Sequence, residues 1–321
     1  MKLRSNARLI AGVFILLGLA ACSTPQTKAL LKTTPEHINP HTELSETVFF
    51  PQEENQCGPA SLGMVMQSAG LTITPEQLQK SLYIPEKQGS LQIEMLATAR
   101  KHGLLAYQLQ PSLQDVLVEI DAGNPVVVLQ NLALSWYPLW HYAVVIGYDL
   151  KREEIILRSG STQRLVMPLT TFEHTWARGK YWAMVALPPS KLPQTATPGN
   201  WVQSIAALEH SSPYTYTGEA YDAAMVRWPD TLLVSIAAGN HAYRHDKLNQ
   251  AEQIFLTATQ QHPESVAALN NLAQTQSDLG KYETALQTIK RAVELGGPLQ
   301  AEVRKTQLEI EQKISGSQKL Y

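Results

Sequence analysis

A single cysteine stands inside the run Asn55-Gln56-Cys57-Gly58-Pro59-Ala60-Ser61-Leu62, and it has the surroundings of a nucleophile. Gly58-Pro59 makes a turn and places proline at the start of a helix that the following Ala60 to Gln67 run predicts. Cys57 then sits where free helical N–H groups point, and the positive end of the helix dipole favours thiolate there. A thiol nucleophile needs a base to take its proton, usually a histidine far away in sequence. Of the nine histidines, His37 and His41 fall near the N-terminus, His102 at a helix end, and His210, His241, His245 and His262 in a helical region described below. His141 and His174 remain, and His141 opens the apolar run Tyr142-Ala143-Val144-Val145-Ile146-Gly147-Tyr148, so a buried strand would hold its ring toward the cleft.

The elements that must carry these residues are legible from punctuation and period. Thr47-Val48-Phe49-Phe50 reads as a strand leading to the Cys57 turn. Thr74-Pro75-Glu76 opens a second helix, Ser90 a third that stops at Gly103, and Ser112 with Asp115 a fourth ending near Gly123. The chain then turns to strands at Val126–Leu129, Tyr142–Tyr148, Glu154–Arg158 and Tyr181–Leu187. Helices followed by a sheet mean an α+β domain, and Pro188-Pro189 with the segment to Gly199 reads as the linker that ends it.

Beyond the linker the chain repeats with a period of 34: Pro229 and Pro263, Ala224 and Ala258, Tyr221 and Phe255. This resembles the tetratricopeptide repeat, most closely in the copy with Gly239, Ala251, Phe255, Ala258 and Pro263. A third copy keeps Leu272, Ala273, Ala285 and Ala292, with Gly297 in place of proline. The first is degenerate, keeping Trp201, Tyr221, Ala224 and Pro229, and a charged helix from Gln300 to about Ile314 reads as a polar cap. Such an array offers a concave surface to a peptide or partner protein.

The N-terminus has the pattern of a bacterial lipoprotein signal: Lys2, Arg4 and Arg8, the apolar run Leu9 to Ala21, then Cys22 after Leu19-Ala20-Ala21. Cleavage would leave Cys22 as the acylated first residue, and Ser23 behind it resembles the signal of lipoproteins sorted to the outer membrane, facing the periplasm. Residues 1–21 are then the signal and 22–46 a polar, proline-dotted tether; 47–188 form the α+β domain, 189–199 the linker, 200–314 the repeats with their cap and 315–321 a tail. The membrane partner is expected to be reached through the lipid alone. With 26 basic against 28 acidic residues, the chain lacks the basic excess of a nucleic-acid binder. No cofactor or metal is expected. If Cys22 is lipidated, Cys57 has no disulfide partner.

The cysteine block, with Gln52 and Gln56 before it, and the later His141-Tyr142-Ala143-Val144-Val145-Ile146-Gly147-Tyr148 block resemble the bacteriocin-processing cysteine peptidases and their stand-alone relatives in the papain-like clan. The resemblance spans roughly residues 47–188 and implies a papain-like fold with Cys57 as nucleophile, His141 as general base and an upstream glutamine in the oxyanion hole. The family's glutamine lies about six residues before the cysteine. Gln52 lies five before Cys57 and is favoured over the adjacent Gln56, which is poorly placed to reach the same oxyanion. The family's orienting Asp, often followed by Pro, comes one strand after the histidine, where this chain has Arg158-Ser159-Gly160. Ser159 could bond the ring and Asp149 could swing in from the turn. The expected activity is hydrolysis of peptide bonds in a peptide or protein substrate. An acyltransferase of the same clan, or a silent peptidase-like domain serving as a peptide-binding scaffold, are the alternatives.

Overall fold

In the computed structural model, residues 24–318 are described, except 34, 36, 37, 53–55, 88 and 210–213. Cys22, the signal and residues 319–321 of the tail fall outside this range. The chain divides into two compact units.

The first unit is built on a seven-stranded antiparallel sheet. Its elements are α1 (Pro25–Lys32), β1 (His41–Glu43), α2 (Cys57–Ser68), α3 (Pro75–Leu82), α4 (Gln92–Lys101), β2 (Leu105–Gln108), α5 (Leu113–Asp121), β3 (Val126–Asn131), β4 (Trp140–Asp149), β5 (Glu154–Ser159), β6 (Thr162–Pro168), α6 (Leu169–Arg178) and β7 (Ala183–Leu187). The strand order is β2-β7-β3-β4-β5-β6, with β1 paired to the far end of β4. Helices α2, α3 and α4 pack on one face, where Leu62, Met64, Met66, Leu78 and Met95 meet Val127, Val144, Ile146 and Met184. The alternate residues of the same strands, including Val126, Val128, Val145 and Leu157, are equally buried on the other face, where α5 and α6 lie. A sheet covered on both sides explains why its central strands read as unbroken apolar runs.

Helix starts follow local chemistry. Ser112 accepts from the Asp115 N–H to cap α5, and Thr74 with Gln77 forms a capping box on α3. The start expected at Ser90 is displaced, because Leu91 is the residue preceding α4 and Ser90 offers its carbonyl to the Tyr142 hydroxyl. The strand expected from Tyr181 begins at Ala183, since Lys180 and Tyr181 turn through left-handed backbone with φ of 55° each.

Two expectations need correction. Thr47–Phe50 is no strand; the Arg158 guanidinium takes the place of a strand partner, donating to the carbonyls of Ser45 and Thr47 at 2.9 Å each. The tether expected over 22–46 is largely built into the domain. The N–H groups of Gln26 and Thr27 at the start of α1 donate to the Glu173 carboxylate of α6 at 3.0 and 2.7 Å, anchoring the helix at its positive end. Thr42 pairs with Tyr148 in β1, and Gly147 permits the approach: a Cβ there would lie 2.6 Å from the Thr42 carbonyl oxygen.

The second unit is all helical: α7 (Pro198–Glu209), α8 (Tyr214–Arg227), α9 (Leu232–Arg244), α10 (Leu248–Gln261), α11 (Val266–Asp278), α12 (Tyr282–Leu295) and α13 (Gln300–Gln318). The repeat residues are its core, with Trp201, Ala224, Ala251, Phe255, Ala258, Ala273, Ala285 and Ala292 all buried. The last helix buries Val303 and Ile310 and runs past the expected end at Ile314 to Gln318. The expected linker is not a free segment: α7 starts within it at Pro198, while Thr195 belongs to the first unit and bonds Glu119 there through its N–H and hydroxyl. No helix among the described residues is long and apolar enough to cross a membrane.

Candidate active site

Cys57 is the first residue of α2, and the rest of that helix is locked in place because Gly58 to Met66 are all buried. Gln56 precedes the helix, its carbonyl accepting from the Ala60 N–H at 3.1 Å. The thiol is free and half-buried. His141 lies one residue into β4, opposite Gln130 of β3, so its backbone is fixed by the sheet. Both side chains line one cavity of about 730 Å³, together with Gln52, Tyr142 and Gly160.

His141 Nε2 lies 2.8 Å from Ser159 Oγ. Ser159 is buried at the end of β5, where the ladder with β6 is irregular. With Nε2 held there, Nδ1 is the ring nitrogen left for a thiol proton. Asp149, the other candidate to orient the ring, is not at the site. It stands eight residues along β4, roughly 26 Å away at strand rise, and its carboxylate accepts from the N–H groups of Lys151 and Arg152 at 3.0 Å in the turn that follows.

Gln52 ties three elements together. Its N–H donates to the Gly160 carbonyl at 3.0 Å, and its Oε1 accepts from the Gly160 N–H at 3.1 Å. Its Nε2 makes two long contacts, 3.3 Å to Ser61 Oγ on α2 and 3.4 Å to the Tyr142 carbonyl on β4. A donor held by two weak bonds can exchange one for a stronger acceptor.

Burial opposes the bias toward thiolate that the helix start supplies. Desolvation pushes the Cys57 thiol above its ordinary range, and the N–H groups of Tyr142, Gly58 and Cys57 only partly offset it. Burial also holds the His141 imidazole below its usual value. Both shifts favour the neutral forms, a thiol and an uncharged ring lining one cavity.

Sequence reasoning missed much of the cavity wall. Leu132 and Leu139 come from the β3–β4 connection and Trp140 from the start of β4, while Lys87 ends a short 3-10 turn and Arg178 and Lys180 lie at the end of α6 and just beyond it. The signal was a run of Leu, Trp and Tyr where a polar turn would be ordinary. Among the described residues no group of three or more His, Cys, Asp or Glu is placed to hold a metal ion.

Comparison with known proteins gives two family matches. Residues 44–184 match the Peptidase_C39 like family, and residues 254–287 match the tetratricopeptide repeat. Among solved structures, a protein described as a C39-like peptidase from Bacillus anthracis is 20% identical, with a TM-score of 0.40 over 48% of this chain and 99% of its own. The first tetratricopeptide domain of Spaghetti (RPAP3), bound to an HSP90 peptide, is 18% identical with a TM-score of 0.34, over 37% of this chain and 93% of its own. The TPR2B domain of yeast Sti1, in complex with pHsp70, is 16% identical with a TM-score of 0.34, over 36% of this chain and 97% of its own. No curated protein matches. The chain therefore carries a C39-like peptidase domain over residues 44–184, followed by a helical array that contains a tetratricopeptide repeat.

Proposed function

We propose that the protein is a lipid-anchored periplasmic cysteine peptidase, tethered to the outer membrane through Cys22, whose helical array binds a protein substrate or partner. The observation that carries the catalytic reading is the convergence of Cys57, His141 and Gln52 on one cavity, with His141 Nε2 engaged by Ser159. The repeat match supports protein binding by the array.

Burial favours the neutral forms of Cys57 and His141, and in this reading His141 acts as a general base during attack. Its Nε2–H donates to Ser159 Oγ, leaving Nδ1 to accept the Cys57 proton as sulfur bonds to the scissile carbonyl carbon. The carbonyl oxygen takes the developing charge, and the Cys57 N–H and Gln52 Nε2 donate to it, the latter giving up a long bond. The imidazolium returns its proton to the departing amine, leaving a thioester on Cys57. Water, deprotonated by His141, then hydrolyses the thioester and frees the thiol.

Peptide hydrolysis by the wild-type chain and its Cys57→Ala and His141→Ala variants tests this reading, alongside iodoacetamide labelling of Cys57. If labelling near neutral pH is unchanged in His141→Ala and no peptide is cut, the catalytic reading is wrong. A second reading, a silent peptidase-like scaffold, is favoured by the neutral pair and by Ser159 standing where a carboxylate would stabilise imidazolium. It predicts peptide binding with no turnover.

A further inference from the structure

The connection between β3 and β4 places its apolar side chains in solvent. Trp136 is 80% exposed and Tyr137 74%, and Leu132, Leu134, Leu139 and Trp140 are exposed beside them. The loop is held open rather than left loose. Asn131 Oδ1 accepts from the N–H groups of Ala133 and Leu139 at 3.0 and 2.9 Å, and Leu134 and Tyr137 bridge across the tip. From α6, the Arg178 guanidinium donates to the carbonyls of Asn131 and Ala133 at 3.2 and 2.9 Å. Hydrogen bonds spent on holding aromatic side chains outward indicate a surface that something covers.

Three further facts say what covers it. Lys87, Arg178 and Lys180 line the adjoining cavity, and none of the described lining residues is acidic. Trp and Tyr flanked by cations is the composition of a membrane-interface contact, with rings at headgroup level and cations facing phosphates. The start of the described chain is bonded to the helix that carries Arg178: the N–H groups of Gln26 and Thr27 donate to Glu173 of α6. Cys22 is only four residues before Gln26, so chain length alone keeps it within about 14 Å of that residue. A lipid on Cys22 would therefore keep α6, whose last residue Arg178 braces the loop, near the bilayer.

We propose that the 132–140 loop is a second membrane contact: Trp136 and Tyr137 enter the headgroup layer of an anionic bilayer, and the Cys57 cavity opens along the membrane surface. The shared placement of loop and anchor rests on reading Cys22 as the acylated residue; the affinity of the loop for lipid does not. The membrane contact is then not the lipid alone, and the acyl chain tethers while the loop sets orientation.

The test uses the chain from residue 22 onward with Cys22→Ser, so that no acyl chain is present. It is sedimented with vesicles of phosphatidylethanolamine and phosphatidylglycerol, and with vesicles of phosphatidylcholine alone. Binding to the anionic vesicles is expected to weaken on the order of tenfold or more in Trp136→Ser/Tyr137→Ser and to fall with added salt. Leu134→Lys, with melting curves for every variant, guards against a misfolded loop giving the same result. Absence of vesicle binding, or equal binding by wild type and both variants, overturns the proposal. So does finding that the loop variants lose only self-association in ultracentrifugation, or only peptide hydrolysis without vesicles, since the loop would then serve a second copy or the substrate. Palmitate labelling of the full precursor, wild type against Cys22→Ala, reads the anchor separately. Unlabelled protein that still binds vesicles through Trp136 retires the anchor and leaves the loop proposal standing.

Discussion

His141 Nε2 and Ser159 Oγ are 2.8 Å apart, so the ring is oriented by a neutral hydroxyl on the strand after its own. A hydroxyl, which can donate or accept, holds the ring in place but adds no charge to stabilise imidazolium. We expect Ser159→Ala to lower kcat/KM for a peptide on the order of tenfold, short of the hundredfold or more attached to a general base itself. Ser159→Asn restores a partner for the ring and should recover much of the loss. Ser159→Asp should instead move the acidic limb of the pH profile upward, because a carboxylate beside the ring favours its protonated form. Identical pH profiles for all three variants would remove Ser159 from the mechanism.

The pH profile of the wild-type chain follows from the two shifts at the site. The catalytic form has a neutral imidazole and an intact thiol. Burial holds the His141 imidazole below its ordinary value of 6.5 and the Cys57 thiol above its ordinary value of 9.0. Activity should therefore rise through an acidic limb below pH 6.5, stay level through neutrality, and change again only above pH 9. A narrow bell centred between those limits, or iodoacetamide labelling that saturates at mildly acidic pH, would show a preformed thiolate instead.

Much of this site was legible because it is written in local chemistry. Gly58-Pro59 after Cys57 announces a helix start, and the apolar run after His141 announces a buried strand. The positions of Gln52 and Ser159 were readable as candidates, but the bonds that fix them were not. Gln52 is clamped to Gly160, 108 residues away, and no spacing rule reports a contact of that range. The same is true of Arg158, which reads as the last residue of a strand yet supplies the bonds that Thr47 and Ser45 would have sought in a ladder. Strands β1, β2 and β6 went unread. β1 depends on the bare backbone of Gly147, β2 is only four residues long, and β6 lies at the sheet edge, where its side chains are half-buried or exposed. Burial works against the thiolate expectation for a related reason: a helix start is visible in sequence, but the depth at which it is buried is a property of the packed domain.

Gln52 has two functions that substitution can separate. Gln52→Glu keeps an oxygen for the Gly160 N–H but removes the Nε2 donor, whereas Gln52→Ala removes both. If Nε2 serves the oxyanion, Gln52→Glu should lower kcat roughly a hundred- to a thousandfold, as loss of one oxyanion donor does elsewhere, with little change in melting temperature. Gln52→Ala should add a loss of stability. A normal kcat in Gln52→Glu would restrict this residue to holding the Gly160 turn.

In the helical unit, Gly239 is the position where one methyl group matters most. A Cβ there would lie 2.4 Å from the Phe255 ring, closer than real contacts come, and Phe255 is buried. Phe255 is also a repeat-signature residue, so displacing it disturbs the packing that defines the hairpin. We expect Gly239→Ala to destabilise this unit by about 1–3 kcal/mol through overpacking, outweighing the few tenths to one kcal/mol that alanine gains over glycine inside a helix. Pairing it with Phe255→Leu should recover part of the loss, because the smaller side chain vacates the space the methyl group needs. Thermal melting of the two single variants and the double variant gives the coupling directly. Additive losses would mean that the ring and Gly239 do not compete for space, and the close approach of these two helices would need another explanation.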